Sequence, residues 1–332
     1  MFREPRAYRG TDDLQAMRAL LQAGRLADNG AYYVHPGDLN WWLFYPPFDY
    51  DPFQYLYLVD DPASPGEILA WILLSPDGFN AFDVFVQPRL RASELESYWR
   101  EWAELRLNQA VRLRGENLIR AMWVRQGDPV VTGWLESHGF HQGGADAHML
   151  YDLDRSLPEA VIPPGCQLRA SAGLPEVHAR ASAQYGAFGS KVPFDRYVQR
   201  FTRFMQSGVY DPQWDIVAEM PDGKIGAFCL TWPDPVTGVA LFEPVGTHPD
   251  YQRKGLGRAV MLEALRRLAR TGMRQAIVTT LHPKFGELRM QNVAPKLSAT
   301  PGGIRLPAPE LGQHTDEILG SLLDVDTDRL AA

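Results

Sequence analysis

The chain has 332 residues, of which 45% are hydrophobic and 22% charged, and a formal net charge of −7. These values describe a globular protein long enough for two domains and argue against non-specific nucleic-acid binding. No stretch is long and apolar enough to span a membrane, and Met1 to Arg6 carries no signal-peptide apolar core, so the expectation is a cytoplasmic protein with neither a nucleic-acid nor a membrane partner.

In chain order, a short strand is predicted at Pro5 to Tyr8. It is followed by a helix carrying Leu14, Met17, Leu20 and Leu21 on one face, with Thr11 as its N-cap. Residues 31 to 56 are dense in aromatics, among them Tyr33, Trp41, Trp42, Phe44 and Tyr45, and read as core between helices and a sheet. Strands follow at Tyr55 to Val59, Ile68 to Leu74 and Ala81 to Val86. A helix covers Ala92 to Leu113, and strands are expected at Leu118 to Trp123 and Ala147 to Leu153. Ser156 to Gly165, with three prolines, reads as a linker. A strand at Cys166 to Arg169, helices at Leu174 to Phe188 and Phe194 to Met205, and a hairpin of Trp214 to Glu219 with Ile225 to Trp232 then repeat the same order. Cys166 and Cys229 read as buried small hydrophobes in a reducing compartment. No His/Cys cluster has metal-ligand spacing, so no metal is expected.

The most informative stretch is Val239 to Gly272. An apolar run, Val239 to Phe242, leads through a turn to Gln252-Arg253-Lys254-Gly255-Leu256-Gly257, and then to Met261, Ala264, Leu265 and Leu268 at helical spacing. Strand, glycine-bearing loop and helix together suit an anion. Glycines 255 and 257 let backbone N–H groups approach without a Cβ, the helix N-terminus adds unpaired donors, and Arg253, Lys254 and Arg258 add charge. The Gly-Lys-Ser/Thr of a P-loop is absent, and Val260 stands where a dinucleotide fingerprint needs Gly or Ala.

The remaining pattern, Gln/Arg-x-x-Gly-x-Gly/Ala after His248-Pro249-Asp250-Tyr251, resembles the acyl-CoA loop of the GNAT superfamily of N-acetyltransferases. The likeness continues into a strand at Gln275 to Thr280. Gly133-Trp134-Leu135-Glu136-Ser137-His138-Gly139-Phe140 is similar to a late GNAT segment. The chain is therefore identified as an α/β (α+β) protein with two tandem GNAT-like domains, each a mixed, mostly antiparallel sheet flanked by helices. The expected division is residues 1–155, a linker at 156–165, a domain at 166–280 with the acyl-CoA loop, and a tail from 281. The first domain's loop, Val86 to Leu95, has no glycine, and Leu135 stands where the family usually has tyrosine, so this copy is expected to be degenerate. The tail, with Pro295-Lys296-Leu297 and a helix expected at Thr315 to Leu323, resembles the extreme C-terminus of family III CoA-transferases but lacks that family's catalytic aspartate.

The resemblance implies acetyl-CoA as co-substrate and a small-molecule amine as acceptor. It places the backbone of Val245 and Thr247 against the pantetheine arm, and Gln252, Arg253, Lys254, Gly255, Leu256, Gly257 and Arg258 around the pyrophosphate. Glu243 is the candidate general base. His248 is read as a turn cap, and Tyr251 as facing the phosphate rather than the sulfur. The alternative reading is a non-catalytic acyl-CoA-binding or interaction protein left by gene fusion.

Overall fold

The computed structural model describes residues 3–30, 33–47, 49–76, 78–125, 127–144 and 146–281. The expected tail and its helix lie outside them. Contacts divide the chain into a large unit, Met1–Gly144 with Leu150–Thr279, and a second, Ala145–Met149 with Thr280–Ala332. The large unit carries both sheets, up to the ends of two strands.

The first half runs β1 (Arg6–Ala7), α1 (Thr11–Asp28), α2 (Pro36–Phe44), β2 (Leu56–Asp60), β3 (Ile68–Ser75), β4 (Ala81–Val86), α3 (Glu94–Leu113), β5 (Arg120–Ala121), α4 (Pro129–Ser137) and β6 (Asp146–Asp152). The second half runs β7 (Gln167–Ala170), α5 (Val177–Ala187), α6 (Phe194–Gln206), β8 (Asp215–Glu219), β9 (Ile225–Asp234), β10 (Val239–Thr247), α7 (Leu256–Arg270) and β11 (Gln275–Leu281). The first sheet has the order β1-β2-β3-β4-β5, and the second repeats that order as β7-β8-β9-β10-β11 with β6 added beside β11. In both sheets the described pairings are antiparallel until the last, where β4 with β5 and β10 with β11 are parallel.

The strand expected at Ala147 to Leu153 thus forms, but on the edge of the second sheet rather than the first. Leu153 N–H donates to Arg274 O at 2.8 Å and Gln275 Nε2 to Asp152 Oδ1 at 3.0 Å. Two further expectations are corrected. Thr11 is the first residue of α1; its N-cap is Gly10, which has no side chain to bond the first turn. The strand expected at Leu118 to Trp123 shortens to Arg120–Ala121, because β4 and β5 part after Phe82 and Ala121.

The duplication is visible in one charged cluster. Arg6 on β1 bridges Asp13 in α1 and Asp60 at the end of β2, while Arg169 on β7 bridges Glu176, just before α5, and Glu219 at the end of β8. In each half the first acid also accepts a backbone N–H four residues earlier in the chain, from Arg9 or Ala172. Each arginine clamps its edge strand to its helix start.

Helices cover both faces of each sheet. α3 buries Trp99, Ala103, Leu107 and Val111 against β3 and β4, and α7 buries Val260, Ala264, Leu265 and Leu268 against β9 and β10. Burial of each such aliphatic side chain is worth about 1.5–3 kcal/mol. The opposite faces are covered by α1 with α2 and by α5 with α6. Of the described aromatics in this stretch, Tyr33 and Tyr45 are buried and Trp41, Trp42, Phe44, Phe53 and Tyr55 pack against the core clusters, as expected. Tyr45, at the C-cap of α2, lies under the Arg200 guanidinium at 3.7 Å and packs edge-on to Phe201 and Phe204 of α6, joining the halves. Cys166 and Cys229 are free and buried. No described helix is long and apolar enough to cross a membrane.

Candidate functional site

β10 is the strand on which the site is built. It pairs with β11 only from Val239 to Phe242, and its register against β9 shifts between Phe242 and Val245. Glu243 and Pro244 form that bulge, with a cis peptide between them. Pro244 has no N–H, so a regular ladder could not hold it, whereas a bulge can. The bulge turns the Glu243 carbonyl to the Trp232 indole, which donates to it at 2.7 Å. Beyond it, His248 N–H donates to Gly226 O at 2.9 Å. Alternation then sends the N–H groups of Val245 and Thr247 to the opposite edge, which β11 leaves uncovered past Phe242.

The loop follows directly. His248 caps the turn Pro249–Tyr251, accepting from Asp250 N–H. Its ring lies on Gly186 of α5, where a Cβ would stand 2.3 Å away. Tyr251 does not reach the strand edge, because its hydroxyl bonds Asp222 at 3.1 Å in the β8–β9 turn. Arg253 and Gly255 have left-handed backbones, with φ of 61° and 80°. They curl the chain so that the N–H groups of residues 253 to 258 have no backbone acceptor among the described residues, and Ala259 N–H makes the first intrahelical bond, to Gly255 O at 3.0 Å. The side chains of Gln252, Arg253, Lys254 and Arg258 are exposed around this cluster of donors, while Leu256 is buried and anchors it. A row of free donors at a helix N-terminus, ringed by cations, is a ready anion site. Gly257 has a separate reason to be glycine, since a Cβ there would lie 2.9 Å from Thr247 Oγ1. The gap lets the first turn of α7 sit on β10.

Glu243 is half-buried on the face of β10 that meets α2. There it acts on the carboxyl of Asp38 in the first half, drawing it downward. Asp38 is 3% exposed, and its Oδ2 accepts the His35 N–H at 2.7 Å. Burial pushes the Asp38 carboxyl up to about 6, against Glu243 and the His35 N–H, which pull it down. His35 caps α2 through Nδ1, which accepts from Gly37 N–H at 2.9 Å, so Nε2 bears the proton and donates to Val239 O at 3.2 Å. Gly37 is required because Trp232 Cβ occupies the space of a side chain, 2.5 Å from a would-be Cβ. Beside Trp232, a cavity of about 290 Å³ is lined by Arg18, His35, Asn40, Asp211, Trp214 and Asp234, among others.

Burial depresses His35 to about 3, so its imidazole is neutral in the fold. On acidification the unfolded chain takes up a proton near pH 6.5 that the folded chain refuses, so this residue makes stability fall as pH drops below about 6.5. Asp38 acts in the opposite sense, taking up its proton earlier in the folded chain, from about pH 6 downward. His35→Asn, which can still accept the Gly37 N–H, is therefore expected to resist acid better than wild type. Urea midpoints measured between pH 7 and 4 should fall less steeply in the variant.

The first half shows the same site closed. β4 pairs with β3 without a register shift from Ala70/Val86 to Ser75/Ala81. Asp83, the residue after the last β4–β5 pair, stands where Glu243 stands in β10. The loop 91–93 is shorter than 252–255, and Ser93 rather than glycine caps the helix. Glu96 fills the anion position: its carboxylate accepts Ala92 N–H at 2.7 Å and bridges Arg91 and Arg100. Only about 20 Å³ of cavity remains beside Asp83, Arg91 and Arg100.

The residues singled out on the second strand and loop lie in sequence along β10, the turn after it and the start of α7, with Tyr251 held away at Asp222. Sequence reasoning missed Asp38, His35 and Trp232. His35-Pro36-Gly37-Asp38 is legible as a capping box with proline at the first helical position, but nothing local says which strand it faces.

Residues 191–289 match the model of the Acetyltransferase (GNAT) family. Mycothiol acetyltransferase of Pseudarthrobacter chlorophenolicus is 26% identical, over 68% of this chain and 71% of that protein. Succinyl-CoA–D-citramalate CoA-transferase of Chloroflexus aurantiacus is 52% identical over 58 residues, 18% of this chain but only 14% of that enzyme. A GCN5-related N-acetyltransferase structure from Sphaerobacter thermophilus aligns over 92% of this chain and 89% of its own, with a TM-score of 0.56 and 21% identity. A tandem GNAT protein from the clavulanic acid biosynthesis pathway aligns over 84% and 90%, with a TM-score of 0.55 and 16% identity. The bulged strand, loop and helix built around Glu243 to Arg258 thus lie within the segment that matches the GNAT family model, and the chain shares its fold with a tandem GNAT protein.

Proposed function

We propose that the chain is an acyl-CoA-dependent N-acyltransferase that moves acetyl from acetyl-CoA to the amine of a small molecule. The observation that carries this is the edge of β10 past Phe242, which no described strand pairs, running into the N–H groups of residues 253 to 258, which have no backbone acceptor among the described residues. An extended arm ending in a diphosphate matches that edge and that donor cluster. Val245 and Thr247 would take the pantetheine arm. Gln252 to Arg258 would take the pyrophosphate, Gly255 and Leu256 through backbone N–H groups and Arg253, Lys254 and Arg258 also through charge. Gly257 keeps the helix start against Thr247. When bound, acetyl-CoA supplies the activated thioester.

The chain's own work is to orient the acceptor and remove its proton. Glu243 follows the point where the sheet opens, and its carboxylate is the base that accepts the amine proton. The likeness to mycothiol acetyltransferases supports a small-molecule acceptor. Activity of the CoA-transferase kind is not carried over, because the match spans so little of that enzyme.

Glu243→Gln tests the reading. With thiol release from acetyl-CoA followed across a panel of small amines, kcat is expected to fall by about 10²–10⁴-fold, with acetyl-CoA affinity by calorimetry unchanged. Turnover equal to wild type would remove Glu243 from the role of base. Binding with no turnover by either protein would favour a non-catalytic acyl-CoA-binding protein.

A further inference from the structure

We infer that the cavity between the two halves is a binding site for a small zwitterion of the amino-acid kind, its carboxylate taken by Arg18 and Asn40 and its ammonium group by Asp211. The inference goes beyond the reading of Glu243 and of the acyl-CoA loop and does not rest on it. The cavity measures about 290 Å³. One water needs about 10–15 Å³, and small-molecule pockets begin at about 300 Å³, so the space takes a compact molecule of several heavy atoms. α1 and the start of α2 supply one side of the lining, and β9 with the segment 209–214 supplies the other. Residues of β10 and of the loop 252–258 are not part of that lining. Trp232 belongs to both regions, since it lines the cavity and its indole donates to Glu243 O.

The charged groups of the lining are unevenly satisfied. Arg18 donates from Nη2 to Asn40 Oδ1, and among the described residues it makes no ion pair. Burial lowers its pKa, and no carboxylate acts on it to offset that. Asn40 uses its oxygen on this bond, and its amide N–H groups have no acceptor among the described residues. A guanidinium fork beside an amide donor is what a carboxylate takes. Asp211, on the side of the second half, is the reverse case. Its two oxygens accept the backbone N–H and the side-chain amide of Gln213, which are neutral donors, and it makes no ion pair among the described residues. Asp234 is different, because Gln22, the Val236 N–H and the Thr237 hydroxyl all donate to it and Arg25 balances its charge. The cavity therefore carries one cation and one anion without counter-charges. A ligand that is only an anion leaves Asp211 against it, and one that is only a cation leaves Arg18 against it. A zwitterion meets both, and charges withdrawn from water are costly unless they are paired. Trp214, Trp232, Pro36 and Pro233 give the ligand's side chain an apolar wall.

Calorimetric titration of the standard L-amino acids at millimolar concentration tests this. At least one with an apolar side chain is expected to bind. On the wild-type protein its carboxyl amide, which keeps the ammonium group, and its N-acetyl derivative, which keeps the carboxylate, should each bind about tenfold to a hundredfold more weakly. Arg18→Met and Asp211→Asn should weaken binding of the parent amino acid by a similar factor, with thermal unfolding as the check that both variants fold. The losses should also pair off. In Arg18→Met the amide should bind as well as the parent, and in Asp211→Asn the N-acetyl derivative should. No binding by any amino acid of the panel overturns the inference, as does a parent that binds no better than its two derivatives. Binding unchanged in both variants overturns it by placing the amino acid elsewhere. If Arg18→Met does not fold, the comparison of parent and derivatives on the wild type still decides.

Discussion

In Gly257→Val, acetyl-CoA affinity is expected to fall about a hundredfold or more while the protein remains folded. The residue is the second of α7 and has an ordinary helical backbone, so its glycine is not there for conformational freedom. It is there because the helix start lies on Thr247, with only 2.9 Å between a would-be Cβ and the threonine oxygen. Alanine can be met by a small turn of the threonine side chain. Valine adds two methyl groups that point into β10, and the first turn of α7 must lift. The N–H groups of residues 256 to 258 then move off the line set by those of 253 to 255. Hydrogen bonds to charged groups are worth about 1.5–3 kcal/mol each, and each 1.4 kcal/mol is about tenfold in affinity, so losing one or two well-aimed donors accounts for the effect. Gly255→Ala provides the contrast. Its Cβ would make an ordinary contact, 3.7 Å from Val161 O, and its cost is the left-handed backbone, about 1–2 kcal/mol. Calorimetric titration of both variants, with thermal unfolding as a check of folding, separates the two effects. Undiminished affinity in Gly257→Val would place the cofactor elsewhere.

The same contrast shows what could be read before the structure. The six residues Gln252 to Gly257 announced a loop for anions because glycine spacing and helix periodicity are local properties. The bulge at Glu243 and Pro244 was legible as well, since proline cannot stand in a paired central strand. Closure of the first half's site was legible only as a missing glycine. That Glu96 supplies the internal anion follows from α3 folding back on its own loop. The placement of β6 was not legible, since a strand's composition does not say which sheet edge is free to receive it. Asp38 was not legible as a site residue either. It lies more than 200 residues from Glu243, and its helix reaches the second sheet only because Gly37 fits Trp232 and Tyr45 enters the apolar cluster of α6. Local chemistry made the loop legible, and contact between the halves did not show in it.

Arg180→Met is expected to destabilise the protein by about 3–5 kcal/mol, and adding Asp215→Leu is expected to restore most of that loss. Arg180 and Asp215 form a fully buried ion pair at 2.8 Å. Arg180 Nη1 donates to Gln184 and the Tyr210 hydroxyl to Asp215, while the guanidinium lies over the Phe228 ring at 3.9 Å. The arginine Nη2 has no hydrogen-bond partner among the described residues. The pair therefore carries a desolvation cost that its contacts only partly offset. Removing the cation alone leaves Asp215 charged, buried and held only by Tyr210, which is the expensive case. The first half shows the apolar solution to the same position. Met17 stands as far from Arg6 as Arg180 does from Arg169, and Leu56 as far from Asp60 as Asp215 from Glu219; both Met17 and Leu56 are fully buried in an unbroken core. Urea unfolding of the wild type, Arg180→Met and the double variant measures the cycle. A double variant as unstable as the single one would mean that the ion pair specifies the packing of α5 on β8 and β9. Recovery would mean that the second half keeps the charges for another reason. The nearest candidate is the ring they hold, because Phe228 fills the space beside Gly246, 2.5 Å from a would-be Cβ, on the strand that parts from β11 after Phe242.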